Sequence, residues 1–96
     1  MKIILADKAK SDLFRIYSYI GQRSPTAAEK VLARIDKKFD QLTWFPFIGR
    51  ERSSLAPGLR SAVVGTHLIF YTVQDDSIIV VRVIDGRMDI DEEFRR

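Results

Sequence analysis

The sequence predicts an α+β fold of order β-α-α-β-β-β, with a helical hairpin packed on one face of a small antiparallel sheet. Three observations predict it. A short apolar run opens the chain, apolar residues then recur with helical spacing from Ala9 to Leu42, and from Leu59 they gather in short runs rich in Val, Ile, Phe and Tyr. The 96 residues, 46% of them hydrophobic, allow one compact domain spanning 1–96 with its own core.

Lys2–Ala6 reads as the first strand, apolar on both faces. Asp7 is placed to cap a following helix, because its carboxylate can accept from the free N–H groups of the first turn. Ala9, Leu13, Ile16, Tyr17 and Ile20 fall on one face of that helix, and Gly21 is suited to end it. Ser24-Pro25 starts a second helix, with Ser24 at the N-cap and Pro25 at the first position, where its missing N–H costs nothing. Ala28, Val31, Leu32, Ile35, Phe39 and Leu42 form its stripe. The short connection predicts an antiparallel hairpin. Phe45-Pro46-Phe47-Ile48-Gly49-Arg50 stops the helix and opens a loop to Gly58.

Leu59–Gly65, His67–Val73 and Ile78–Ile84 read as strands of a meander, turned at Gly65-Thr66 and at Gln74-Asp75-Asp76-Ser77. Alternation puts Ile79, Val81 and Val83 on one face of the last strand, toward the helices, and leaves Arg82 on the other. Asp89–Arg96 reads as a polar tail with one helical turn.

The composition excludes several classes. No run is long enough for a membrane span or a signal peptide. Zero cysteines exclude a disulfide scaffold and fit a cytoplasmic protein. No phosphate-cradling glycine motif is present, a single histidine without cysteine leaves no structural zinc site, and the cluster Asp89, Asp91, Glu92 and Glu93 lacks a calcium-type loop. No cofactor or metal is expected. His67 is the one imidazole, and neither Ser61, Thr66 nor Ser77 is tied to it by spacing, so a hydrolase triad has no support. The net charge of +3 is unevenly spread. Residues 1–50 carry ten Lys and Arg against five Asp and Glu, residues 51–87 carry four of each, and residues 88–96 carry two against four. The arginines are the remaining candidates. Arg50, Arg52, Arg60, Arg82 and Arg87 lie in loops or at strand positions where a guanidinium can meet phosphates or carboxylates. The plain alternative for Arg82 is an ion pair with Asp85 or Asp89.

Leu5-Ala6, Asp12-Leu13, Ile16 and Tyr19-Ile20, then Ser24-Pro25, Ala27-Ala28, Phe45-Pro46 and Gly49-Arg50, open a longer pattern. Gly58-Leu59-Arg60-Ser61, Gly65, Ile69-Phe70-Tyr71, Val81-Arg82-Val83-Ile84, Gly86-Arg87 and Asp89-Ile90 continue it. The pattern resembles the ParE toxins of the RelE/ParE superfamily, from bacterial type II toxin–antitoxin modules. The resemblance spans nearly the whole chain and implies the same helical hairpin on a small sheet.

It further implies a growth-inhibiting toxin, associated with plasmid stabilisation and neutralised by a ParD-type antitoxin in a toxin–antitoxin hetero-oligomer. ParE-like toxins are associated with inhibition of DNA gyrase, and RelE-like relatives with ribosome-dependent cleavage of mRNA. Arg60 and Arg82 match arginines that the RelE-like enzymes use on phosphate. Asp85-Gly86 stands where ParE relatives often carry His-Gly, so a proton-transferring imidazole is missing there. This favours poisoning by binding over catalysis, with direct nucleic-acid binding not expected. A ribonuclease, or a degenerate toxin that keeps only antitoxin binding, is the alternative. The five arginines are then candidate target contacts. Antitoxin docking is expected at the edge strand, through Ile3 and Leu5, and in a helical groove lined by Leu13, Ile16, Tyr17, Ile20, Val31 and Ile35. Acidic antitoxin side chains are expected to meet the basic first half.

Overall fold

The computed structural model describes residues 1–95. Its elements run β1 (Lys2–Leu5), α1 (Asp7–Arg23), α2 (Pro25–Trp44), β2 (Arg50–Glu51), β3 (Arg60–Val64), β4 (His67–Gln74), β5 (Ser77–Asp85) and α3 (Ile90–Arg95). The α+β class, the hairpin and the order of the main elements are as the sequence predicts. One element, β2, is added, and the expected turn of the tail is a short helix, α3. Two residues of the expected loop pair with β3 as the short strand β2.

The helical start is local chemistry in one place and not in the other. Ser24 Oγ accepts from Ala27 N–H at 3.2 Å, and Pro25 opens α2. The same Ser24 ends α1, its N–H bonded to Ile20 O. Gly21 therefore does not stop α1, which runs on to Arg23. Asp7 is not a cap either. The helix begins at Asp7 behind Ala6, with no side-chain cap, and Asp7 contributes only its charge to the first turn, where the helix dipole favours an anion.

The five strands form one sheet in the order β1-β5-β4-β3-β2. Pairing is antiparallel from β2 to β5, while β1 lies parallel to β5, from Lys2 opposite Ser77 to Leu5 opposite Val80. The sheet is thus mixed. The right place for β1 at an edge follows from its chain position, but its direction is set by α1 and α2 carrying the chain back across the sheet.

The helices cover one face. Ala9, Ile35, Phe39 and Leu42 pack there on Ile69, Tyr71, Ile78, Val80 and Val83. On the other face Leu59, Phe70 and Ile84 form a smaller cluster with Val81, Ile90 and Phe94, and the Phe94 ring of α3 stands edge-on to Phe70 at 4.8 Å. This corrects the simple alternation expected for β5. Ile78 and Val80 face the helices, and Val81 faces away. The register slips between Phe70 and Tyr71, which pair with Arg82 and Val80, so Val81 is an extra, bulged residue. The bulge restores Val83 to the helical side and leaves Arg82 opposite Phe70, from where its guanidinium reaches Asp12 of α1.

Candidate functional site

The chain presents two assemblies of candidate residues: a groove on the helical side and a set of arginines around the sheet. The groove lies between β1, α1 and α2 and measures about 890 Å³. Ile3 and Leu5 of β1, Leu13 and Tyr17 of α1, and Leu32, Ile35 and Phe39 of α2 line it. These side chains sit at helical and strand spacing, so the same periodicity that builds the core also builds the groove. Five of the eight residues expected at the antitoxin surface meet here: Ile3, Leu5, Leu13, Tyr17 and Ile35. Ile16 and Ile20 line a different pocket, and Val31 packs against the core. Among the described residues no strand pairs with the outer side of β1, and Ile4 of that edge strand is half exposed.

The groove is acidic, although the first half of the chain is net basic. Its charged lining consists of Glu29, Asp36 and Asp40, spaced seven and four residues apart along one line of α2. Three of the four cations of α2, Arg34, Lys37 and Lys38, line a separate surface pocket together with Asp40 and Gln41. A positive excess summed over the first half of the chain therefore says nothing about this groove.

The arginines do not gather into one site. Arg82 Nε and Nη2 donate to the two carboxylate oxygens of Asp12 at 2.7 and 2.9 Å, and Nη1 donates to Glu93 O at 2.9 Å. Its partner is Asp12, and neither Asp85 nor Asp89. The side chains of Arg82 and Asp12 are 11% and 4% exposed. The hydrogen bonds Arg82 donates to Asp12 raise the guanidinium pKa above its ordinary value. Asp12 was missed because its partner is seventy residues away, yet it interrupts the apolar stripe of α1 between Ala9 and Ile16. A carboxylate on a buried stripe calls for a partner.

Arg60 lies at the other end of the sheet, opposite Tyr71 and thus on the helical face. Its Nη1 donates to Phe47 O at 3.1 Å and Gly49 O at 2.9 Å, and its guanidinium stacks over the Phe47 ring at 5.1 Å. Arg82 and Arg60 thus hold separate sets of partners. Arg52 Nε donates to Ser61 Oγ at 2.8 Å, with its guanidinium 5.8 Å from the Phe70 ring. Arg87 pairs with Asp85, Nη2 to Oδ2 at 2.6 Å, and remains exposed. Arg50 is exposed on β2.

Tyr71, fully buried, ties the segment after α2 to the sheet. Its hydroxyl donates to Pro46 O at 2.8 Å and accepts from Gly49 N–H at 3.0 Å, and burial pushes its pKa up. Gly49 must be glycine, since a Cβ there would stand 2.5 Å from the Tyr71 hydroxyl oxygen and 2.9 Å from Ser61 O.

His67 is half-buried at the start of β4, directly opposite Asp85 on β5. An imidazole is therefore present beside the position where the resemblance misses one. It lines a pocket of about 310 Å³ with Arg82, Asp85 and Arg87. Burial lowers its pKa, and the Asp85 carboxylate works against that shift. Among the described residues no cluster of His, Cys, Asp and Glu is arranged to hold a metal ion, and no helix is long and apolar enough to cross a membrane.

Residues 3–90 match the family model of the ParE toxin of type II toxin–antitoxin systems, parDE. The chain is 31% identical to Toxin ParE3 of Caulobacter vibrioides over 93% of this chain and 90% of that protein. It is 33% identical to Toxin ParE1 of Mycobacterium tuberculosis over 97% of each, and 33% identical to Toxin RelE2 of C. vibrioides over 85% and 91%. A solved structure described as the chromosomal ParDE TA system from P. aeruginosa superposes with a TM-score of 0.74 at 25% identity, covering 88% of this chain and 95% of that one. With the fold, the Phe-Pro-x-x-Gly-Arg segment and the arginine strand in place, the chain belongs to the ParE toxin family of type II toxin–antitoxin systems.

Proposed function

We propose that this toxin acts by binding and poisoning DNA gyrase, and that a ParD-type antitoxin neutralises it by filling the groove between β1, α1 and α2. The observation that carries the binding reading is the commitment of the two arginines. A phosphate-cleaving site needs cations free to meet a developing charge and an acid and base within reach of the same atom. All three nitrogens of the Arg82 guanidinium group are engaged by Asp12 and Glu93 O, and Arg60 is bound to the carbonyls of Phe47 and Gly49 at the other end of the sheet. Freeing Arg82 for a substrate strands a buried carboxylate, which costs several kcal/mol, about 3–5.

The groove suits an amphipathic segment. Leu13, Leu32 and Phe39 offer an apolar floor, and Glu29, Asp36 and Asp40 offer acceptors for Lys or Arg side chains at the margin of a docked helix. The antitoxin segment therefore presents apolar anchors flanked by basic residues. The open edge of β1 can accept an added strand beside it. Purified chain added to a supercoiling reaction tests the target: inhibition with accumulation of cleaved DNA, relieved by the antitoxin, is the expected result. Discrete mRNA cuts in a translation extract, with gyrase untouched, favour the ribonuclease instead.

A further inference from the structure

The end of α2 and the segment after it carry a run of exposed apolar side chains outside the groove. Trp44, Phe45, Phe47 and Ile48 are 75, 60, 63 and 50% exposed. One such residue is ordinary, but four within five positions form a patch of the kind that marks an interaction site. The patch is rigid. Tyr71 and Arg60 fasten the backbone at Pro46, Phe47 and Gly49, so the apolar side chains are held outward. A fixed aromatic surface loses little entropy on docking.

Cations lie along the α2 surface before it, with one acid, Asp40, among them, and on β2 after it. Lys37 stands two helical turns before Trp44, and Arg34 lies on the α2 face that leads to Phe45. Arg50 is exposed just beyond Gly49, while the neighbouring Glu51 is engaged with Arg60. We propose that Trp44, Phe47 and Ile48, flanked by Arg34, Lys37 and Arg50, form a docking surface for an acidic patch on a protein partner. Trp and Arg together are the composition of binding hot spots, and the flanking cations select negative charge. A protein fits better than a nucleic acid, because Ile48 offers no ring for a base and one face of Phe47 is already covered by Arg60. None of the four apolar side chains lines the antitoxin groove. The surface is thus the target-binding side of the toxin, and the proposal rests on the reading that the toxin acts by binding a protein.

Two variants of the full chain test it: Trp44→Ala/Phe47→Ala, and Arg34→Glu/Lys37→Glu. All four side chains are exposed, so unfolding midpoints close to the parent are expected. Both variants should bind the antitoxin as the parent does, yet lose at least tenfold in inhibition of purified gyrase and in growth arrest on induced expression. Parental potency in either variant overturns the proposal. So does a tenfold loss of antitoxin affinity, which assigns the patch to that interface. Salt-dependent binding of a short DNA duplex or single strand that the variants lose assigns the patch to nucleic acid and overturns it as well. If the parent arrests growth without inhibiting gyrase, the gyrase reading falls alone and growth arrest decides the surface. A parent that arrests nothing overturns both.

Discussion

Asp12 of α1 and Arg82 of β5 are joined by two hydrogen bonds of 2.7 and 2.9 Å across seventy residues of sequence. β1 covers the outer edge of β5 only as far as Val80, and beyond it the Val83 N–H would have no strand to meet. Asp12 Oδ2 accepts that N–H at 2.9 Å, so one carboxylate completes the sheet edge and neutralises the arginine. Arg82 then reaches on to Glu93 O of α3. Helix, sheet and C-terminal turn are fastened at one point.

Removing one partner of this pair should be expensive. Asp12→Ala leaves a buried guanidinium and an unmatched Val83 N–H, and a loss of about 3–5 kcal/mol is expected in urea unfolding. Asp12→Leu with Arg82→Met should recover only part of it, because Val83 N–H and Glu93 O stay unpaired at about 1–3 kcal/mol each. A single-variant loss below 1 kcal/mol contradicts the clasp.

Tyr71→Phe should destabilise by about 1–3 kcal/mol, since it strands the Gly49 N–H and Pro46 O behind the sheet. Gly49→Ala should cost a similar ~1–3 kcal/mol through overpacking. The two changes together should not rescue one another. The added Cβ would still stand 2.8 Å from Cε1 of residue 71 and 2.9 Å from Ser61 O. Thermal unfolding of the three variants measures this, and restored stability in the double variant contradicts it.

These two relationships also mark how far the sequence alone reaches. Ser24-Pro25 is legible because a cap and its acceptor lie three residues apart, and the strand runs are legible because their periodicity is local. The bulge at Val81 is not, since an extra residue in one strand exists only relative to its partner. Gly49 looks like a turn glycine until Tyr71, twenty-two residues on, is placed against it. The groove is hidden for a different reason: Leu13 and Ile35 each sit on the apolar stripe of their own helix, but Leu13 is only partly covered while Ile35 is buried. Spacing does not distinguish a core face from one left open for a partner. An acidic groove can sit within a net-basic half because Asp36 and Lys37 are neighbours in sequence and lie on different sides of α2.

Proton NMR of His67 should give a midpoint below the ordinary 6.5, because burial favours the neutral ring. Asp85→Asn should lower it further, as it removes the carboxylate that raises the value. Arg87→Ala should raise it. With its folded pKa depressed, His67 supports stability fully above pH 6.5 and loses that support as pH falls through the folded midpoint. A midpoint that rises in Asp85→Asn contradicts the opposed pair.

Antitoxin affinity should depend on the groove and its acids. Tyr17→Ala and Asp36→Lys are each expected to weaken binding of the cognate antitoxin at least tenfold, about 1.4 kcal/mol, by calorimetry. Asp36→Lys should also flatten the salt dependence of the association rate. Parental affinity in both variants would place the antitoxin elsewhere.

The reading of this toxin as a gyrase poison turns on one assay: supercoiling by purified bacterial DNA gyrase, run beside a coupled translation reaction. Inhibited supercoiling with trapped cleaved DNA, relieved by antitoxin and accompanied by intact mRNA, is the expected result. Unimpaired gyrase together with discrete mRNA cuts that vanish in Arg60→Ala would contradict it.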